Sequence, residues 1–167
     1  MARTDQVRWS ERAMINLEKD LFLGFYIIRK LMEARKLSVE VESTPVHVTS
    51  YPWKGGRQIT ILNWDQINDH YDWSAAADEI LSLRELCNLF VHSYVYLPFM
   101  SDDRTLEALL VSSERSRHKK LFNVDALLTI ALFRAVANDD PVRLEMKLDY
   151  AIRLWRGVPP AERDSGC

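Results

Sequence analysis

Met14, Leu17, Leu21, Phe25, Ile28 and Met32 recur at steps of three or four, the spacing of one helix face. Ile15, Phe22 and Tyr26 widen that stripe, and Glu18, Lys19, Arg29, Lys30, Glu33 and Lys36 fill the other side. With Ser10 placed to cap it, the pattern predicts a long helix over residues 10–36. The period then changes. Val46 and Val48 alternate with polar residues, as do Ile59 and Ile61, with Gly55-Gly56 between them. Two alternating runs around a glycine pair predict a β-hairpin, its first strand kept short or at an edge by Pro45 and Pro52. Residues 63–72 read as a polar, aromatic-rich connection carrying Trp64, His70 and Tyr71.

Ile80, Leu83, Cys87, Phe90 and Tyr94 again step by three and four, which predicts a second helix from 73 or 74 to the Pro98 that ends it. Residues 106–112 and 119–124 suit a second hairpin around the polar turn 113–118. A third helix over 125–138, capped by Asp125, is apolar almost all round, as a central and largely buried helix would be. Residues 142–150 alternate strictly, as in a strand, yet Leu144, Leu148, Ile152 and Trp155 share a helix face after Asp140-Pro141, and the reading leans to helix. Residues 157–167, with Pro159-Pro160, read as a disordered tail. The expectation is a mainly α protein: a helical bundle with one or two inserted β-hairpins, as a single domain over 1–156.

Composition narrows the classes. At 167 residues, 47% hydrophobic and 28% charged, the chain is long and apolar enough to bury a core without disulfides or metals. Lys+Arg at 22 against Asp+Glu at 24 gives a net charge of -2, which excludes a protein coated in positive charge. Two cysteines, Cys87 and Cys167, are too few for a disulfide scaffold and read as free thiols in a reducing compartment. The four histidines stand singly, and no zinc, EF-hand or glycine-rich phosphate motif occurs, so no metal and no cofactor is expected. A polar start and a longest apolar run of only 21–28 predict no membrane span and a cytoplasmic protein.

Candidate chemistry gathers in the second predicted helix. Arg84, Asn88, His92 and Tyr96 are each four apart and would form one polar ridge, with Glu85 two turns before His92. His92 is suited to proton transfer, Asn88 to holding it or a phosphate oxygen, Arg84 to supplying fixed positive charge, and Glu85 to orienting the imidazole. The competing reading is structural: an Asn and a His on a helix that hydrogen-bond a neighbouring hairpin. Arg115, Arg117, Lys119 and Lys120, with His118, form a basic cluster that suits RNA or DNA phosphates, or simply a solvated turn. Trp53-Lys54-Gly55-Gly56-Arg57 suits base stacking or a turn stapled to the core, and Asp102-Asp103 a cation or a turn start.

A long charged amphipathic helix followed by a helix carrying Asn88-x-x-x-His92 resembles the HEPN superfamily of small helical bundles. That family's motif is Arg, a polar residue, three variable residues and His. Here the His falls on His92, the polar residue on Asn88 and the Arg position on Cys87, with Arg84 one turn earlier. The resemblance implies a homodimer whose motif helices face each other across a cleft holding RNA, where the ribose 2′-hydroxyl attacks the adjacent phosphate and His92 handles a proton. Two functions are therefore expected. One is an RNA-directed protein, a metal-independent endoribonuclease of a defence or toxin system. The other, suggested by Cys87 at the Arg position, is an inactive dimerisation or partner-binding module within a larger complex.

Overall fold

A computed structural model describes residues 9–140 and the backbone of two later strands. The elements run α1 (Glu11–Glu33), α2 (Val39–Glu42), β1 (Val46–Pro52), α3 (Ile67–His70), a 3-10 turn (Trp73–Ala75), β2 (Ala77–Leu81), α4 (Leu83–Val91), β3 (Ser93–Met100), β4 (Leu106–Ser113), β5 (Lys120–Asp125), α5 (Ala126–Ala137), β6 (Glu145–Asp149) and β7 (Leu154–Val158). The first five strands form one antiparallel sheet in the order β2-β1-β5-β4-β3. The fold is thus α/β around a five-stranded sheet, which overturns the expected mainly helical bundle.

The central strands of the sheet are buried on both faces, and strand alternation divides their side chains between them. Val46, Val48, Leu109, Val111, Phe122 and Val124 face one core with Leu17, Leu21, Phe25, Ile28 and Met32 of α1, with α4, and with Leu132 of α5. Leu110, Leu121 and Val95 face the other, which Ile59, Tyr71 and the aromatic residues of the 53–73 connection cover. Residues 108–112 of β4 are therefore buried without a break, as in a strand covered on both sides.

The first helix forms as its stripe predicts, with Ser10 accepting from Ala13 N. The β4–β5 hairpin also forms where expected, pairing Leu109 with Val124 and Val111 with Phe122, but it is the middle of the sheet and no insertion. The other predicted hairpin does not form. Val46–Pro52 is a strand, yet its partners are β2 and β5, so it lies inside the sheet. Gly55 and Gly56, at φ +80° and +89°, turn the chain away, and Ile61 and Leu62 are 78% and 85% exposed. The long second helix is also corrected. Its three-and-four spacing runs across three elements: Ile80 lies exposed on β2, Leu83, Cys87 and Phe90 belong to the nine-residue α4, and Tyr94 to β3. Pro98 sits within β3, pairing with Leu109, and is tolerated because β3 is an edge strand.

Asp125 caps α5 by accepting from Leu128 N at 2.7 Å. That helix lies against the sheet rather than at the centre: only Ala126, Thr129 and Leu132 are buried, and Leu127 is 68% exposed. Within the span that leaned to helix, Glu145–Asp149 and Leu154–Val158 pair as antiparallel strands, so the strict alternation was the better guide. The expected tail, 157–167, starts inside β7 instead, where Gly157 pairs with Met146 and Val158 with Glu145, and its remainder falls outside the described residues. No helix among the described residues is long and apolar enough to cross a membrane.

Candidate functional site

Ser82 starts α4 with a reciprocal cap: its hydroxyl accepts from Glu85 N, and the Glu85 carboxylate accepts from Ser82 N at 2.8 Å and Oγ at 2.7 Å. The bond from Ser82 N, with its hydroxyl, holds the Glu85 carboxyl below the usual carboxylate range. Glu85 is therefore engaged in capping rather than in orienting His92. At the other end His92 is the C-cap, its N–H on Asn88 O at 3.1 Å and its side chain exposed. Between them Leu86, Cys87, Leu89 and Phe90 turn inward. Cys87 is wholly buried, and burial pushes its thiol up to about 12. Position 87 thus faces the core, where a guanidinium would lie unsolvated.

The guanidinium arrives from another element. Phe25 of α1 stacks on Phe90 of α4, ring centroids 4.0 Å apart and 13° from parallel. One turn beyond Phe25, Arg29 reaches α4: its Nη1 donates to Asn88 Oδ1 and lies 3.5 Å from His92 Nε2. Its Nε donates to Glu33 Oε1 at 3.0 Å, which fixes the plane of the fork. Because a guanidinium only donates, the imidazole nitrogen facing it is the accepting one, which leaves the N–H on Nδ1. Arg84 lies elsewhere, exposed and 3.3 Å from Glu42 of α2. Tyr96 is on β3 with its ring 5.1 Å from that of Phe22, so the ridge of four does not exist as one surface.

The β4–β5 turn supplies the opposite wall. Glu114 N donates to His92 O at 3.0 Å, tying the turn to the end of α4. Ser116 Oγ accepts from Ser113 N at 2.8 Å and meets the Ser112 and Ser113 hydroxyls at 3.0 and 2.9 Å, which holds the turn in shape. The result is an open cleft of about 600 Å³ lined by Arg29, Asn88, His92, Ser113, Arg115 and Ser116, with Glu85 and Glu114 also in its lining. Two guanidinium groups, two hydroxyls and one imidazole can meet an anion there, while the Glu85 and Glu114 carboxylates line the same cleft and offset part of its positive charge.

Only part of the basic cluster joins this cleft. Arg115 lines it and is exposed. Arg117 lies with its guanidinium 3.7 Å over the Tyr94 ring and 3.1 Å from Glu114, so it braces the turn. Lys120 Nζ donates to both Glu79 oxygens at 2.6 and 2.7 Å, His118 Nε2 accepts from Ile59 N at 3.0 Å, and Lys119 is exposed outside the cleft lining. Lys54 is tied to Asn68 O at 2.7 Å, and Asp103 accepts from Ser101 and Thr105 within a turn. Among the described residues no three His, Cys, Asp or Glu side chains gather as metal ligands.

Arg29 is the residue that spacing arguments passed over. Its signal was slight: it follows Ile28 of the buried stripe and sits one turn after Phe25, at the margin where a helix meets its neighbour. No protein-family model matches the chain, nor does a curated protein or a solved structure.

Proposed function

We propose that this cleft binds the phosphodiester backbone of RNA and that His92 moves the proton in an endonucleolytic cleavage needing no metal. The observation that carries the reading is the Arg29 guanidinium held against Asn88 and beside His92 Nε2, at a cleft that Arg115 also lines. Arg29 takes the role expected of Arg84, giving fixed positive charge where a phosphorane gathers negative charge. The His92 imidazole takes the proton from the ribose 2′-hydroxyl, the 2′-oxygen–phosphorus bond forms, and the phosphorus–5′-oxygen bond breaks. The departing oxygen takes a proton from water, leaving a 2′,3′-cyclic phosphate and a 5′-hydroxyl. The HEPN resemblance enters this proposal only as a likeness of the Arg, Asn and His set, here drawn from two helices packed on a sheet. A homodimer belongs to the same reading, and in it a second His92 across the seam would replace that water as the proton donor.

A specific observation favours a second reading, a partner-binding module without activity. Arg29 bonds both Glu33 and Asn88, so the trio also fastens α1 to α4. One experiment separates the two: a mixed RNA pool in EDTA with the wild type beside His92→Ala. Cleavage by the wild type alone, leaving cyclic phosphate ends, supports the nuclease. No cleavage by either folded protein supports the module.

A further inference from the structure

A second groove begins one residue beyond His92. It holds about 550 Å³ along the outer edge of β3, where the sheet has no further strand, and α1 forms its other wall. Its lining includes the aromatic rings of Phe22, Trp64, Tyr94 and Tyr96 and the carboxylates of Glu11 and Glu18. Among the described residues no Lys, Arg or His lines it, so it is unsuited to a phosphate and differs in chemistry from the cleft beside it. The two sites meet where α4 passes into β3, with His92 in one and Ser93 and Tyr94 in the other.

Two further features mark the groove. The Arg117 guanidinium lies 3.7 Å over one face of the Tyr94 ring, which holds that ring in place. The Tyr96 hydroxyl is buried and has no hydrogen-bond partner among the described residues, an expense that a well-satisfied interior avoids. Glu18 is exposed at the rim.

We infer that this groove is a nucleobase subsite selective for guanine, in which the aromatic walls stack the ring and the Glu18 carboxylate takes its Watson–Crick edge. The inference rests on the reading of the neighbouring cleft as a site for RNA phosphate. Aromatic faces stack any base and give no selectivity by themselves. A carboxylate only accepts, so it favours an edge with adjacent donors. Guanine presents N1–H and N2–H side by side and meets both carboxylate oxygens. Adenine and cytosine offer an amino group beside a ring nitrogen whose lone pair faces the carboxylate. Uracil offers one N–H between two carbonyls. The acidic rim thus ranks guanine first and uracil last, with cleavage falling beside guanosine.

Nucleosides without phosphate test the groove apart from the cleft. In ¹⁵N-labelled protein the Trp64 indole N–H cross-peak, assigned with Trp64→Phe, is followed during titration with each nucleoside. Guanosine is expected to shift it saturably, on the order of tenfold or more tighter than uridine, and Glu18→Gln should bring guanosine down to the level of the others. Four equal affinities, no shift with any nucleoside, or tighter binding of N-acetyl-arginine amide than of guanosine would each overturn the inference. Glu18 is exposed, so its variant should fold, and the unchanged remainder of the spectrum checks that it has. Guanosine binding without any RNA cleavage would defeat the nuclease reading alone. RNA cleavage after every base, without nucleoside preference, would defeat the guanine subsite alone.

Discussion

If Arg29 is the charged centre of the cleft, Arg29→Ala and Asn88→Ala should be strongly coupled and should separate stability from activity. Arg29 Nη1 on Asn88 Oδ1 is a hydrogen bond to a charged group, worth roughly 1.5–3 kcal/mol when well enclosed. The Arg29 side chain is 27% exposed, which places the bond at the low end, about 1.5 kcal/mol. The Arg29–Glu33 pair, four apart on an exposed helix face, adds about 0.4 kcal/mol. Arg29→Ala should therefore cost about 2 kcal/mol, Asn88→Ala about 1.5, and the double variant about 2 rather than their sum, a coupling near 1.5 kcal/mol. Urea denaturation with an unchanged m-value measures all three. A domain with at least about 5 kcal/mol of stability stays more than 99% folded after losing 2. Any activity loss beyond a few per cent is then chemical. Removing a donor to a charged transition state should lower kcat/KM for RNA cleavage by about 10²–10³. Additive stabilities would show that the contact carries no energy, and full cleavage by Arg29→Ala would remove it from the chemistry.

Two further predictions concern the frame that holds the site. A Cβ at Gly24 would lie 2.5 Å from Phe133 Cε2 and Cζ, and Phe133 meets Phe25 edge-on at 5.0 Å. Gly24→Ala gains about 1 kcal/mol of helix propensity but forces that ring aside, losing about 0.5–1.5 kcal/mol of aromatic contact and 1–3 of overpacking. The net is a loss of about 0.5–3.5 kcal/mol in urea denaturation, reduced in a Phe133→Leu background; stabilisation of the wild type by Gly24→Ala would refute the clash. At Glu79, burial raises the carboxyl pKa, but the Lys120 ammonium and the Ser50 hydroxyl outweigh it and hold it below 4.5. A depressed carboxyl contributes stability above its unfolded value and loses it as pH falls through the folded one. Glu79→Gln, which keeps an acceptor for Ser50, should cost about 0.5 kcal/mol at pH 7, and the gap should close below pH 4.5. A gap of the same size at pH 3 would place its origin elsewhere.

Where one period rules one element, the chain was legible. The α1 stripe, the β4–β5 hairpin around its polar turn and the Asp125 cap each fall where the local signals put them. Reading failed where a single period ran across boundaries. Ile80, Leu83, Cys87, Phe90 and Tyr94 keep helical steps while the chain passes from strand to helix to strand, because β2 and β3 are edge strands with no clean alternation of their own, Ile80 being 64% exposed. The local signal that breaks the run was present: Ser82 with Glu85 three residues on is a helix start, and Tyr94 to Tyr96 is rich in β-favouring residues. The Gly55-Gly56 pair marked a turn correctly, but β1 finds β2 and β5, partners that lie 25 residues or more away in the chain and that no local pattern names.

The site shows the same limit more sharply. A motif read along one helix assumes that its groups share a surface, and α4 is too short for that: Arg84 leaves toward α2, while Tyr96 departs on β3. Asn88 and His92 remain together because they lie one turn apart within the helix and its cap. The missing cation had to come through packing, and the contact that delivers it is the Phe25–Phe90 stack, two aromatic residues with no chemistry of their own. Cys87 at the expected arginine position then ceases to argue for an empty site. A wholly buried position on the inner face of α4 cannot hold a solvated guanidinium, and Arg29 meets the same Asn and His from outside. Activity should accordingly survive Arg84→Ala, whose partner Glu42 lies outside the cleft, and fail with Arg29→Ala; the reverse order would return the catalytic arginine to α4 and undo the assignment built on the two-helix geometry.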